Sequence, residues 1–167
     1  ITCGDRLYIM GLSAPYTLTQ VLASGAFQVV MVDGRFIELD VTTSTIRISD
    51  LLAGLTGYAV SQSAQRDTAS DPWKTMALSG GKEIWLMGEE SGDVYYNIDR
   101  TPMTFGPRQG LLIRPGTRAP WSLRESKGSM MWLSGDKDGI GQVMRANGYQ
   151  AERISTEWIE RKIRDLD

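Results

Sequence analysis

The most informative absence in this sequence is histidine, since none of the 167 residues is a histidine. A Ser-His-Asp triad, a Cys-His pair, a zinc site with histidine ligands and a histidine proton switch are therefore excluded. Cys3 is the single cysteine, so neither an intrachain disulfide nor a thiolate cluster can form. Carboxylate chemistry, Lys or Ser nucleophiles without a histidine base, and oxygen-ligated Mg or Ca remain open.

Long apolar runs and an excess of one charge are also missing. No apolar run approaches the length of a membrane span, and the N-terminal residues lack the basic and apolar regions of a signal peptide. The 18 Lys and Arg against 20 Asp and Glu disfavour a surface that wraps nucleic acid, because such domains are usually basic. The sequence begins with Ile1, which predicts a processed chain or a piece of a longer one.

What is present is the composition of a folded β-rich domain, with 41% hydrophobic residues and 18 glycines that separate short apolar runs. Three β-hairpins are predicted, at 27–41, 75–87 and 121–133. The first has an Asp-Gly turn, which favours the tight turns of hairpins. Further strands are predicted at 94–98, 142–145 and 149–154.

The turn glycines of these hairpins recur at a fixed interval. Gly34, Gly81 and Gly128 are separated by 81 − 34 = 47 and 128 − 81 = 47 residues. The motif Trp-Leu-x-Gly also recurs at 85–88 and 132–135. A period near 47 with about four short strands predicts a mainly β fold, an antiparallel meander with propeller-blade-like repeats over 1–154. At this period 167 residues supply about three and a half blades, which predicts an incomplete ring closed by further sequence or by neighbouring subunits.

Three segments fall outside the repeat pattern. The small and polar residues of 51–71 predict a long loop with room for a short helix. The segment 100–118, which carries three prolines, is predicted to be an irregular connection between blades. At 155–167, an N-cap and an acidic first turn predict an amphipathic helix. Its apolar stripe is the candidate interface and consists of Trp158, Ile159, Ile163 and Leu166.

A local concentration of arginines lies in and just after the proline-rich connection and consists of Arg108, Arg114, Arg118 and Arg124. Two interpretations stay open: side chains paired with surplus carboxylates, or a patch that faces DNA phosphates. Trp85 and Trp132 are predicted to pack in the core rather than to form a stacking platform, whereas Trp121 is freer.

Two turns are rich in carboxylates. Glu89, Glu90 and Asp93 are interpreted as solvated turn residues. Asp136 and Asp138 resemble the start of a calcium loop, but the bidentate Glu that should follow is missing, so an exposed turn is the default. The residues themselves predict no catalytic group, no cofactor and no metal site.

Several motifs together resemble one family. They are Val94-Tyr-Tyr-Asn97, Gly116-Thr-Arg-Ala-Pro-Trp-Ser122, the repeated Trp-Leu-x-Gly, and Asn147-Gly-Tyr-Gln-Ala-Glu-Arg-Ile-Ser-Thr156 followed by Ile159-Glu160. Over roughly residues 80–160 the chain resembles the packaged-DNA stabilisation proteins of short-tailed bacteriophages, tail-hub or nozzle components that close the head after packaging. It departs from them at Glu157, where the family usually has His.

The resemblance implies a propeller-bearing structural protein of the virion tail, without an active site, that is assembled in the host cytoplasm. It implies a homo-oligomeric ring under the portal or adaptor, contacts with tail needle or spike proteins, and transient contact with packaged DNA. The alternative is a propeller-type protein that binds or cleaves carbohydrate. It would use an exposed Trp and the carboxylates Glu89, Glu90, Asp93, Asp136 or Asp138.

Overall fold

The computed structural model describes residues 1–3, 5–11, 17–22, 25–135 and 141–165, whose regular structure is almost entirely antiparallel β. The chain divides into two compact units. The first unit comprises Ile1–Asp67 and Asn97–Gly106, and the second comprises Thr68–Tyr96 and Pro107–Asp167. No helix within the described ranges is long and apolar enough to cross a membrane.

The first unit contains two sheets whose strands follow one another along the chain. Sheet 1 consists of β1 (Thr2–Cys3), β2 (Arg6–Met10) and β3 (Leu18–Leu22). Sheet 2 consists of β4 (Gln28–Val32), β5 (Arg35–Asp40), β6 (Thr45–Asp50), β7 (Ala53–Gly57) and β8 (Ser63–Gln65), the last of which pairs with β6. The core of this unit centres on β5 and β6, whose apolar side chains Ile37, Leu39, Ile46 and Ile48 are completely buried.

The second unit is built on two four-stranded sheets, apart from a few residues at the ends of β11 and β12. Sheet 3 consists of β9 (Thr75–Ser79), β10 (Glu83–Met87), β11 (Gly92–Asn97) and β12 (Phe105–Pro107). Sheet 4 consists of β13 (Arg124–Ser126), β14 (Ser129–Gly135), β15 (Gly141–Asn147) and β16 (Gln150–Arg153), and helix α1 (Glu157–Arg164) follows it. One apolar cluster joins the two sheets and includes Trp85, Met87, Val94, Met130, Trp132 and Met144.

The 47-residue repeat corresponds to successive sheets. Gly34, Gly81 and Gly128 each lie in the turn between the first and second strands of sheets 2, 3 and 4. Their φ angles are +71°, +67° and +74°, in the left-handed region where a Cβ is unfavourable. The prediction of blade-like meanders followed by a C-terminal helix is therefore confirmed, and sheet 1 adds a shorter meander that the repeat did not reveal.

The segment 51–71 differs from the predicted loop. It contains β7, β8 and a short 3₁₀ helix at Val60–Gln62. Both strands are held by backbone pairing with β6, in the registers Ser49 to Gly57 and Arg47 to Ser63. Because their side chains are small or polar except for Leu55, no alternation of apolar residues marks these strands in the sequence.

Candidate assembly surface

Part of the apolar stripe of the terminal helix α1 packs on sheet 4, and part of it is exposed. Ile163 is half-buried and lies against Gly141 of β15, where any side chain would collide with it. Trp158 is 65% exposed and Ile159 is 39% exposed. Leu166 lies outside the described residues. The two exposed side chains thus form an apolar surface that nothing in the described part of the second unit covers.

A buried ion pair holds α1 against sheet 4. The Glu160 carboxylate, which is buried, accepts hydrogen bonds from Arg153 Nε at 2.6 Å and Nη2 at 2.7 Å. It also accepts a hydrogen bond from Ser155 Oγ at 2.6 Å. Ser155 Oγ in turn accepts a hydrogen bond from the backbone N–H of Val143 in β15 at 3.1 Å. Since helical residues advance by about 100° each, Trp158 lies on nearly the opposite side of the helix from Glu160. Docking of Glu160 therefore directs Trp158 outward.

Replacing Glu160 with alanine should release α1 from sheet 4, because Arg153 and Ser155 lose their common acceptor. We expect a loss of about 1–3 kcal/mol in helix docking, below the cost of a fully buried pair, since the Arg153 side chain is 44% exposed. Hydrogen–deuterium exchange of residues 157–164 should become faster. Glu157→Ala, an exposed position on the same helix, is the matched control, and unchanged protection in Glu160→Ala would show that this ion pair does not hold the helix.

Arg108 is bound to a carboxylate in the second unit. Glu83 Oε1 accepts hydrogen bonds from Arg108 Nε at 2.8 Å, from Arg108 Nη2, and from Tyr149 Oη at 2.6 Å. The guanidinium also lies 4.7 Å from the ring centroid of Tyr96 and 5.2 Å from that of Tyr149. The hydrogen bond and charge of Glu83 raise the pKa of Arg108, and burial together with the Glu83 hydrogen bond raises the pKa of Tyr149. These contacts favour a structural role for Arg108 over a phosphate contact.

The other three arginines are exposed. Arg118 lies against Gly135 at the end of β14, whereas Arg108 is joined to Tyr149 just beyond the far end of the neighbouring strand β15. The seven residues of β15 separate these two ends by about 20 Å. Arg124 Nη1 donates to the Leu123 carbonyl at 2.8 Å. Arg108 and Arg118 therefore lie near opposite ends of sheet 4, so these two do not form one patch.

Trp85 and Trp132 occupy the apolar core between sheets 3 and 4. Both are buried, and their ring centroids lie 6.2 Å apart at an interplanar angle of 53°. Trp132 Nε1 donates to the carbonyls of Pro115 at 3.2 Å and Gly116 at 3.1 Å. The prediction of core packing is confirmed for both rings.

Asp93 was wrongly interpreted as a solvated turn residue. It is buried in β11, where it accepts hydrogen bonds from Thr68 Oγ1 at 2.8 Å and Trp73 Nε1 at 2.7 Å. These donors satisfy the carboxylate in place of water. Glu89 and Glu90 are exposed, as expected for turn residues.

Asp71 organises the turn after β10 and was missed from the sequence. Its carboxylate accepts the backbone N–H groups of residues 89, 90 and 91 at 3.0, 2.9 and 2.9 Å. It lies so close to Gly88 that a Cβ there would collide with it. A signal was available, because Asp71 precedes Gly88 by 88 − 71 = 17 residues and Arg118 precedes Gly135 by 135 − 118 = 17. In both repeats the glycine admits a charged side chain from the preceding loop.

The described ranges contain no group of three or more Cys, Asp and Glu residues that could hold a metal ion. Asp136 and Asp138, the start of the calcium-like pattern, lie outside those ranges.

Comparison with known families supports a phage structural role. The family model of phage stabilisation proteins, described as bacteriophage P22 Gp10, beta-propeller, matches residues 1–167. The chain belongs to this family. The match covers the whole chain, well beyond residues 80–160, and assigns the chain a structural role in the phage virion. A search of curated proteins found no significant match.

In this member of the phage stabilisation family, the residues that carried the resemblance form the framework of the second unit. Arg153, Ser155 and Glu160 of the last motif are the three side chains that anchor α1. The tryptophans of the repeated Trp-Leu-x-Gly motif fill the core, and its glycines admit Asp71 and Arg118. These residues therefore set the packing of the second unit and the position of α1 on it.

Proposed function

We propose that the chain is a non-enzymatic component of the tail hub or nozzle that stabilises packaged DNA in the head and connects the portal to the tail. In this proposal it assembles in the host cytoplasm as a homo-oligomeric ring that contacts the portal or adaptor and a needle or spike protein. The observation that supports it most directly is the outward apolar side of α1, where Trp158 and Ile159 are exposed while Glu160 fixes the helix. Rigidly presented aromatic side chains are typical anchors of protein interfaces.

Contact with packaged DNA is assigned in this proposal to Arg114, Arg118 and Arg124, which are exposed. Arg108 contributes less, because its guanidinium is bound to Glu83. A few separated cations suit a transient contact, since affinity for the phosphate backbone grows with the number of phosphates that are neutralised. The balanced charge of the chain supports the same interpretation.

Trp158→Ser should impair assembly without unfolding the chain. Loss of a buried aromatic anchor at an interface typically costs about 2–4 kcal/mol of binding free energy, so we expect at least a tenfold weaker association. Native mass spectrometry and sedimentation of the chain, alone and with the portal complex of its phage, measure this. Trp121→Ser is the matched control, because Trp121 is a similarly exposed tryptophan, 59% exposed, that does not lie on α1.

If Trp158→Ser assembles as well as wild type, α1 is not part of the interface. A wild-type chain that stays monomeric and binds no portal complex would contradict the structural role in the tail.

A further inference from the structure

A cleft of about 270 Å³ opens between sheets 3 and 4 of the second unit. One wall includes Ser79, Glu83 and Trp85, and the other includes Ser129 and Tyr149. It lies where the hairpin turns of both sheets end, and its volume is near the lower limit of small-molecule sites. The assembly role proposed above makes no use of this cleft.

Two contacts between the sheets fix the walls of the cleft relative to each other. The backbone N–H of Gly80 donates to Glu125 Oε2 at 2.9 Å, and Tyr149 Oη donates to Glu83 Oε1 at 2.6 Å. The Tyr149 ring also stacks on Trp85, with centroids 6.2 Å apart and planes at 27°. The cleft is therefore preformed, as is usual for ligand sites.

The walls offer hydrogen-bonding groups that the described part of the chain leaves unused. Arg108 and Tyr149 both bind Oε1 of Glu83, and no donor among the described residues reaches Oε2. Ser129 Oγ accepts a 3.4 Å hydrogen bond from Arg145 and keeps its own proton to donate. An acceptor and a donor thus lie beside the partly exposed Tyr149 side chain.

The charges around the cleft decide which ligand suits it. Arg108 neutralises Glu83, and both Arg108, over the Tyr149 ring, and Arg145, bound to Ser129, repel an incoming cation. An uncharged ligand with adjacent hydroxyl groups can donate to Glu83 and accept from a serine while its carbon–hydrogen groups contact the partly exposed Tyr149 side chain. A sugar ring has this combination.

We propose that this cleft binds a single uncharged pyranose unit of a glycan, with Glu83 Oε2 accepting hydrogen bonds from its hydroxyl groups. The site is distinct from the carboxylates of the carbohydrate alternative: Glu89 and Glu90 do not line it, and Asp93 is buried against Thr68 and Trp73.

The test titrates the full chain with the methyl glycosides of glucose, galactose and mannose, followed by ligand-observed NMR, with glucuronate and n-butylammonium as charged probes. We expect at least one neutral glycoside to bind with a Kd on the order of 1 mM. Glu83→Gln should weaken this binding about tenfold, the effect of losing a charge-assisted hydrogen bond. Ser79→Phe should abolish it by filling the cleft, and Glu90→Gln, an exposed turn carboxylate, should leave it unchanged.

Circular dichroism confirms that each variant is folded before its titration is compared. Failure of all three neutral glycosides to bind, or binding that survives Ser79→Phe, overturns the proposal. Stronger binding of n-butylammonium or of glucuronate than of any neutral glycoside also overturns it, because the cleft would then select a charged ligand. Trp158 does not line the cleft, so either the assembly prediction or the glycan prediction can fail while the other holds.

Discussion

Replacing Trp132 with alanine is expected to destabilise the second unit by about 3–5 kcal/mol, the usual cost of removing a fully buried tryptophan. Its side chain is 1% exposed and packs within the cluster that joins sheets 3 and 4. The truncation leaves a cavity beside Trp85 and also removes the indole donor of the Pro115 and Gly116 carbonyls. Both losses act in the same direction.

The equivalent tryptophan of the preceding repeat separates these two contributions. Trp85 Nε1 has no acceptor in the described part of the chain, whereas Trp132 Nε1 has two. Trp85→Phe and Trp132→Phe remove similar volume, but only the second breaks a hydrogen bond. We expect Trp132→Phe to cost about 1–2 kcal/mol more than Trp85→Phe.

Urea denaturation followed by far-ultraviolet circular dichroism measures these differences as shifts in the free energy of unfolding. Trp121→Ala is the control for removing an exposed indole and should cost less than about 1 kcal/mol. A Trp132→Ala loss as small as that of Trp121→Ala would show that the second unit does not depend on packing between its sheets.

The features predicted correctly from the sequence are those set by local chemistry. Gly34, Gly81 and Gly128 adopt positive φ in tight turns, a requirement that short-range sequence expresses directly. The tryptophans repeat at the same place in their strands because each sheet buries one face against its neighbour. Turn glycines and apolar strands were therefore sufficient to predict a blade-like meander.

The features that were missed depend on contacts between distant segments. Tyr149 and Glu83 are 66 residues apart, and Asp93 is 25 residues from Thr68. Asp71 lies 17 residues before the glycine whose turn it binds, and only the recurrence of this spacing at Arg118 and Gly135 points to the contact. The sequence therefore identified the apolar stripe of α1 but not the polar anchor at Glu160, which decides which side of the stripe stays exposed.

A second large effect is expected in the first unit, where Glu38→Gln should increase stability at alkaline pH. Glu38 lies in β5 and is completely buried, and neither carboxylate oxygen has a hydrogen-bond partner in the described residues. The Arg47 Nε lies 3.3 Å from Glu38 Oε2, while Arg47 Nη2 is bound to Asp40 Oδ2 at 2.8 Å. Arg47 is thus the cation nearest to Glu38, but it is already hydrogen-bonded to Asp40.

The protonation of Glu38 gives this effect its pH dependence. Burial raises the pKa of Glu38 from 4.5 to about 8, although Arg47 acts to lower it. Between these values the folded state binds a proton that the unfolded state does not, so stability falls as the pH rises from about 4.5 to about 8. A shift of this size corresponds to a cost on the order of 5 kcal/mol once both states are ionised. Glutamine removes this cost.

Neither Tyr58 nor Asp40, the other acids coupled to Glu38, changes its protonation within this pH window. Burial raises the pKa of Tyr58 to about 12, so its phenol stays neutral throughout the window. Burial acts to raise the pKa of Asp40, but hydrogen bonds from Thr43 and Thr42 and the charge of Arg47 lower it overall. Stability from Asp40 is therefore present at neutral pH and lost only in acid, as the pH falls through the folded pKa. Asp40→Asn should then destabilise the first unit where Glu38→Gln stabilises it.

Denaturation of wild type and Glu38→Gln between about pH 5 and pH 9 tests the assignment, because titrations that do not depend on Glu38 cancel in the difference between the two proteins. The variant should gain stability over wild type steadily as the pH rises, and the gain should level off above about pH 8. Asp40→Asn controls for the loss of a carboxylate from β5, because the pKa of Asp40 is lowered whereas that of Glu38 is raised. A difference that stays constant with pH would mean that Glu38 remains charged in the folded protein, so that the ion pair with Arg47 outweighs burial in setting its protonation.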